Sequence, residues 1–214
     1  MPTLLSFGHG YSARALAPLL LADGWRVIGT TRSSEKADIL RAEGVEPAIF
    51  GDPLPLEGVT HVLTSAGPND DGDPVLNVYG AALAPVLGGL SWLGYLSTTG
   101  VYGDHGGAWV DEATPLTPAT RRGRMRVEAE AAWRGLAGRT GAPLHLFRLA
   151  GIYGPGRGPF AKVRDGTARR IVKPGQVFSR IHVDDIAAVL KASIAQPNPG
   201  AVYNLCDDDP APPE

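Results

Sequence analysis

The 214-residue sequence predicts a doubly wound α/β fold, a parallel sheet with helices on both faces. Three observations predict it. A short apolar run near the N-terminus enters a glycine-punctuated turn and then a helical pattern. Strand-like and helix-like segments alternate along the whole chain. Each strand-like segment is nearly continuously apolar, as strands covered by helices on both sides must be.

Taken in order, Leu4-Leu5-Ser6-Phe7 reads as the first strand. Ser12 to Ala22 follows as a helix, with Leu16, Leu19 and Leu20 at helical spacing and Gly24 as its stop. Pro18 removes a backbone donor inside that helix and predicts a slight kink or an irregular first turn. Trp25 to Thr30 is a second strand, Ser34 to Glu43 a helix capped by serine and ended by Gly44, and Pro47 to Phe50 a third strand. This βαβαβ order demands parallel pairing with right-handed crossovers. A strand at Val59 to Ser65, a helix beginning near Pro74, a strand at Leu93 to Ser97, a helix from Pro118 to Leu136 and a strand at Leu144 to Leu149 continue the alternation. A Gly/Pro-rich loop spans Gly151 to Pro159, and a helix from Val183 to Ala195 precedes a last strand at Ala201 to Leu205. Residues 1–214 make one domain without short internal repeats, and the Pro- and Asp-rich segment 207–214 reads as a polar connector. The ligand crevice of such a sheet lies at the carboxyl ends of its strands.

Composition narrows the partners. A net charge of −2 supplies no global positive field for nucleic acid or an anionic membrane. The one cysteine, Cys206, permits no internal disulfide, and no apolar run is long enough to span a bilayer, so the cytoplasm is the expected compartment. The five histidines, at 9, 61, 105, 145 and 182, form no metal-ligand spacing, and no metal site is expected. Asn69-Asp70-Asp71-Gly72-Asp73 lacks the closing glutamate of a calcium loop and reads as a solvated turn.

The most informative stretch is Gly8-His9-Gly10-Tyr11-Ser12-Ala13, a GxGxxA between strand and helix. Gly8 permits the tight turn, Gly10 leaves no side chain between backbone and a pyrophosphate, and Ala13 lets the helix pack close to the strand. The first-turn N–H groups then meet the anion. A dinucleotide is the ligand this pattern predicts. The end of the second strand chooses between coenzymes, because a carboxylate there binds both ribose hydroxyls and repels a 2′-phosphate. Here Thr31-Arg32-Ser33 follow Thr30, with no acid and with a guanidinium and a hydroxyl suited to phosphate, which favours NADP(H) over NAD(H). A solvated surface charge is the bland reading of Arg32. Asp52, past the third strand, suits the adenine amino group, and a turn before Pro53 explains it nearly as well.

Four further segments share one order and spacing: Ser97-Thr98-Thr99-Gly100-Val101-Tyr102-Gly103, Arg148-Leu149-Ala150-Gly151-Ile152-Tyr153-Gly154-Pro155-Gly156, Arg180-Ile181-His182-Val183-Asp184-Asp185-Ile186-Ala187 and Val202-Tyr203-Asn204-Leu205. With the glycine turn, they make the chain resemble the extended short-chain dehydrogenase/reductases, the NAD-dependent epimerase/dehydratase group, over essentially its whole length. The resemblance implies a Rossmann sheet. It implies that Thr98 hydrogen-bonds the reacting substrate oxygen, that Ser65, Ala66 and Gly67 lie beside the cofactor ribose, and that Leu149, Gly151 and Ile152 lie next to the nicotinamide. It gives His182 a scaffold role, holding a loop to a helix N-terminus, and makes Asp184 and Asp185 helix-start carboxylates. It also implies pairing into homodimers through helices such as Pro74 to Leu87 and Pro118 to Leu136. Family members usually continue into helices that cap the substrate side, whereas this chain ends in a linker-like composition, as a truncated member would.

The main departure lies on the helix after the fifth strand. Where the family has a tyrosine and, four residues later, a lysine, this chain has Arg122 and Arg126. Arginine stays protonated and cannot be the acid or base, so the usual mechanism loses a group worth about 10²–10⁴ in rate. Gly151 is a second departure, standing where asparagine is usual. The arginines read in two ways. Arg122 and Arg126 form an anion clamp acting with Thr98. Alternatively, Arg121, Arg122, Arg124 and Arg126 are the wet face of a helix whose buried stripe is Met125, Ala129, Ala132, Trp133 and Leu136, with Arg126 pairing to Glu130. Tyr102 and Tyr153 are substitute proton donors by proximity, and core packing is the better reading of each. Two functions follow: an atypical oxidoreductase or epimerase/dehydratase-like enzyme acting on a small anionic carbonyl, hydroxyl or sugar-like compound, or a non-catalytic NADP(H)-binding sensor or regulatory module.

Overall fold

The computed structural model describes residues 1–169, 172 and 175–212. Strands β1 (Thr3–Phe7), β2 (Arg26–Thr31), β3 (Glu46–Ile49), β4 (His61–Thr64), β5 (Trp92–Thr98), β6 (Leu144–Leu149) and β9 (Val202–Leu205) form a seven-stranded sheet in the order β3-β2-β1-β4-β5-β6-β9. Every pairing in it is parallel. The order reverses between β1 and β4, which opens a crevice at their carboxyl ends.

Two apolar layers clothe the sheet because successive strand residues face opposite sides. On one face Leu4, Val27 and Leu63 meet Ala13, Leu16, Ala17 and Leu20 of α1 (Tyr11–Ala22), Leu40 of α2 (Ser34–Ala42), and Ile186, Leu190 and Ile194 of α6 (Val183–Ala195). On the other, Leu5, Phe7, Val62 and Leu93 meet Val75, Tyr79, Leu83 and Leu87 of α3 (Pro74–Leu87), and Ala129, Trp133 and Leu136 of α4 (Arg121–Thr140). Each valine, leucine, isoleucine or phenylalanine among them withdrawn from water contributes about 1.5–3 kcal/mol. Helix α1 runs through Pro18 without a break from Tyr11 to Ala22.

Several boundaries differ from expectation. Helix α4 starts at Arg121 rather than Pro118, because Thr120 caps it by accepting from the Gly123 N–H, and it runs on to Thr140, where Gly141 adopts φ +73. The Gly/Pro-rich stretch from Gly151 contains a strand, β7 (Gly151–Tyr153), which pairs in parallel with β8 (Arg180–His182). A short helix, α5 (Pro159–Arg164), follows β7. These elements are too short to show periodicity, and their pairing partner lies some thirty residues away. Residues of the 207–214 segment also engage the body: the Asp207 N–H donates to the Arg180 carbonyl, and Ala211 exchanges backbone bonds with Phe178.

The loop before α3 is only partly solvated. Asp73 is 4% exposed, accepts from the Val75 and Leu76 N–H groups as the α3 cap, and accepts from Trp133 Nε1 at 3.1 Å. In α4 the buried stripe is Ala129, Glu130, Trp133, Leu136 and Ala137; Ala132 is exposed and Met125 half-buried. Glu130 pairs with Arg148 of β6 instead of Arg126. Arg148 donates from Nη2 to Glu130 Oε2 at 2.8 Å and from Nε to Oε1 at 3.2 Å, with both residues 2–3% exposed. Ser97 Oγ also donates to Glu130, Arg148 Nη1 donates to Tyr102 Oη at 2.8 Å, and Tyr102 donates to Asn204 Oδ1 at 2.7 Å. The buried charges are thereby fully partnered, as burial requires. The network ties α4 to β5, β6 and β9 directly beneath the crevice.

Candidate functional site

The first wall of the crevice is the β1–α1 turn. Gly8 has φ +68, and a Cβ there would stand 2.9 Å from the Ala66 nitrogen, so only glycine fits. A Cβ on Gly10 would meet nothing within 4 Å except the Gly8 carbonyl at 3.5 Å, so the space above it is open. Among the described helices of nine or more residues, α1 alone has no side-chain cap: Ser33, Asp73, Thr120 and His182 cap the others. Its first-turn N–H groups and positive dipole end are therefore left for an anion. An open glycine, a tight turn and an uncapped helix fit a dinucleotide diphosphate.

Around that turn, Tyr11 sends its hydroxyl to the Pro155 carbonyl at 3.0 Å, and Ser12 and Ala13 are buried against the sheet. Ser65 is held at the β4 end, donating to the carbonyls of Phe7 and Gly8. His9 is 8% exposed, with neither ring nitrogen partnered, and burial lowers its pKa to about 4. It is a neutral imidazole at neutral pH. At the β2 end Thr31 is buried, and Ser33 uses its hydroxyl oxygen to accept from the Lys36 N–H as the α2 cap. Arg32 is exposed, without hydrogen bond or ion pair among the described residues. Asp52 is exposed, and its carbonyl accepts from Tyr79 Oη at 3.2 Å.

The second wall is a cavity of about 410 Å³ whose lining includes Gly67, Thr98, Arg122, Gly123 and Arg126. Three residues read from the sequence as catalytic thus share one space. Thr98 Oγ1 accepts from the Gly100 N–H at 3.2 Å, fixing the 3₁₀ turn Thr99–Val101 and leaving its own proton to donate. Gly123 lets α4 approach that turn, since a Cβ there would lie 2.7 Å from the Gly100 carbonyl. Arg122 is exposed; Arg126 is half-buried, donating from Nη1 to Tyr95 Oη at 3.1 Å and to the Leu96 carbonyl at 2.7 Å. Arg121 pairs with Asp70, and Arg124 donates to the Ala119 carbonyl, both away from the cavity lining. The wet-face reading fits those two and fails for Arg126.

Other expected positions fall elsewhere. The Leu149 side chain belongs to the core on the α1 and α6 face, so at most its backbone reaches the crevice. Gly151 is exposed in β7, and Ile152 packs partly on that same core. Neither candidate tyrosine lines the cavity. Tyr102 is 1% exposed with its hydroxyl between Arg148 and Asn204, while the Asp207 carboxylate raises the Tyr153 phenol pKa. His182 accepts from the Asp184 N–H at 3.3 Å as the α6 cap, a scaffold role. The sequence reading missed Tyr95, Leu96 and Gly123. It also missed the Glu130–Arg148 pair, for which one signal was available: an arginine inside the apolar strand Leu144–Leu149 requires a buried acid nearby.

Among the described residues no group of three His, Cys, Asp or Glu could hold a metal ion, and no helix is long and apolar enough to cross a membrane.

No family model matches the chain. A functionally unknown conserved protein from Silicibacter pomeroyi DSS is 59% identical and superposes with a TM-score of 0.94, over 100% of this chain and 75% of that one. Protein YeeZ of Escherichia coli K12 is 29% identical over 93% of this chain and 75% of its own length. UDP-glucuronic acid 4-epimerase from Bacillus cereus, in complex with NAD, is 17% identical with a TM-score of 0.77, covering 98% of this chain and 79% of that one. The chain belongs to the family of the conserved Silicibacter pomeroyi protein, and its fold is that of the NAD-dependent epimerases and dehydratases.

Proposed function

We propose that this protein is a nicotinamide-dependent oxidoreductase of the epimerase/dehydratase type, acting on a small anionic carbonyl, hydroxyl or sugar-like compound. The observation that carries the reading is the crevice itself: an uncapped glycine cradle on one wall and a cavity shared by Thr98, Arg122 and Arg126 on the other. Backbone N–H groups of α1 hold the diphosphate. When bound, the nicotinamide supplies or accepts the hydride. Thr98 donates its hydrogen bond to the reacting oxygen, and the two guanidinium groups bind the anionic part of the substrate and steady negative charge that develops beside it.

NADP(H) is the preferred coenzyme in this reading. The support is local: β2 ends in an exposed, unengaged Arg32 and a hydroxyl at Ser33, with no carboxylate at the position that would repel a 2′-phosphate. The Bacillus cereus epimerase holds NAD. In this reading Asp52 would hold the adenine end, and Ser65, Ala66 and Gly67 would hold the ribose.

A second reading is a coenzyme-binding sensor without turnover. It draws support from the cavity lining, where among the described residues there is no tyrosine or lysine and so no group of the usual proton-donating kind. Calorimetric titration with NADPH and NADH, followed by a turnover screen over small anionic carbonyl compounds, separates the readings. The enzyme reading expects NADPH to bind more tightly, Arg32→Ala to cost about tenfold for NADPH alone, and turnover to vanish in Thr98→Ala. Coenzyme binding that alters association with a protein, with no turnover in any arm, favours the sensor. Failure of both coenzymes to bind removes both.

A further inference from the structure

We propose that Tyr95 is a positioning residue which, with the Leu96 carbonyl, locks Arg126 as a fixed fork for a carboxylate or phosphate oxyanion in the crevice. The inference rests on reading the crevice as the substrate site, and it adds a device that the pattern of arginines does not contain. Tyr95 lies on β5 with no exposed surface, packed against Trp133 at 6.2 Å between ring centroids. A phenylalanine would fill that space as well. The hydroxyl therefore needs a polar reason, because a buried hydroxyl without a partner is costly. Among the described residues that partner is Arg126 Nη1, and the guanidinium carbon also stands 5.5 Å from the Tyr95 ring centroid.

The second bond follows from the sheet. Pairing between β4 and β5 ends at Thr64 with Tyr95, so Leu96 lies one residue past the last partner, where its carbonyl accepts from Nη1 at 2.7 Å. The chain after β4 turns away through Ser65 and Gly67, and Nη2 lies over Gly67, 3.5 Å from where a Cβ would stand. One nitrogen of the fork is pinned from below by two bonds, and the other edges the cavity that Thr98 and Arg122 share. Long side chains lose much freedom on binding an anion, and a guanidinium already immobilised has made that sacrifice on folding. A lysine cannot do the same, since a single ammonium has no second nitrogen to offer.

The test is calorimetric titration of the purified protein with inorganic phosphate and, separately, with pyruvate, in the wild type, Tyr95→Phe and Arg126→Lys, each with and without NADPH. The wild type binds at least one of the two anions, and the tighter one identifies the substrate group as phosphate or carboxylate. Tyr95→Phe melts cooperatively yet binds that anion about tenfold more weakly, the effect of losing one hydrogen bond to a charged group. Arg126→Lys loses at least as much. A purely structural Tyr95 would lower the melting temperature and leave anion affinity unchanged, which overturns the proposal. So does a wild type that binds neither anion. Should neither coenzyme bind while phosphate or pyruvate affinity still depends on Arg126 and Tyr95, the proposed function fails and the fork stands.

Discussion

The two walls of the crevice are made of different material. The β1–α1 wall is backbone: a glycine at φ +68, an open glycine and an uncapped helix end, all within six residues of sequence. The β5–α4 wall is side chain: Thr98, Arg122 and Arg126, with Tyr95 thirty-one residues from the arginine it holds and Arg148 eighteen from the glutamate beneath it. A backbone site is specified locally and tolerates variation elsewhere. A site of side chains depends on a support assembled from distant segments, so it can change its chemistry while the first wall stays the same.

That contrast breaks most readily at the buried support of the second wall. Arg148→Met leaves the Glu130 carboxylate buried without a counter-charge, and the expected loss is about 3–5 kcal/mol in a urea unfolding measurement. A loss under about 1 kcal/mol would mean that the pair does not secure α4 to the sheet.

The first wall carries a pH dependence through His9. Its folded pKa of about 4 lies below the value of 6.5 in the unfolded chain because burial disfavours the charged ring. Between those values the unfolded chain takes up a proton that the folded protein refuses, so stability falls as pH drops through that window, by about 3 kcal/mol over its width. Burial also lowers His61 to about 4, and its slope adds to the same window. Denaturant midpoints measured across the window in coenzyme-free protein should therefore decline less steeply in His9→Gln than in the wild type. Parallel curves would remove His9 as a cause.

The smallest of these effects on stability sharpens the comparison most. Gly8→Ala forces a side chain into a left-handed backbone and toward the Ala66 nitrogen, at a cost of about 1–3 kcal/mol. Coenzyme affinity should fall with it, while the Arg126 fork keeps its oxyanion affinity. If both affinities fall together, the walls are coupled and the division into two materials is wrong.

The fold was legible because its strands are apolar runs and its helices have caps and stops. All seven strands of the large sheet correspond to segments read from sequence, and the α3 and α6 starts agree to the residue. Strands β7 and β8 were not legible: three residues each carry no period, and each is defined by the other. The sequence places the start of α4 three residues early because Pro118 resembles a helix start, while Thr120 holds the actual cap. Its Glu130 resembled a partner for Arg126 at one-turn spacing, until the fold brought Arg148 from β6 to the same carboxylate. Asp73 resembled a solvated turn residue because its partner, Trp133, lies sixty residues on.

By itself the sequence determined the layered parallel sheet and the glycine cradle, since these depend on residue type, short-range sterics and periodicity. Only the tertiary structure decided which arginine is surface and which is site. Four arginines on the first turns of α4 have the same chemistry, and what separates them is contact: Asp70 takes Arg121, the Ala119 carbonyl takes Arg124, Arg122 stays open, and Tyr95 with Leu96 holds Arg126 against the crevice.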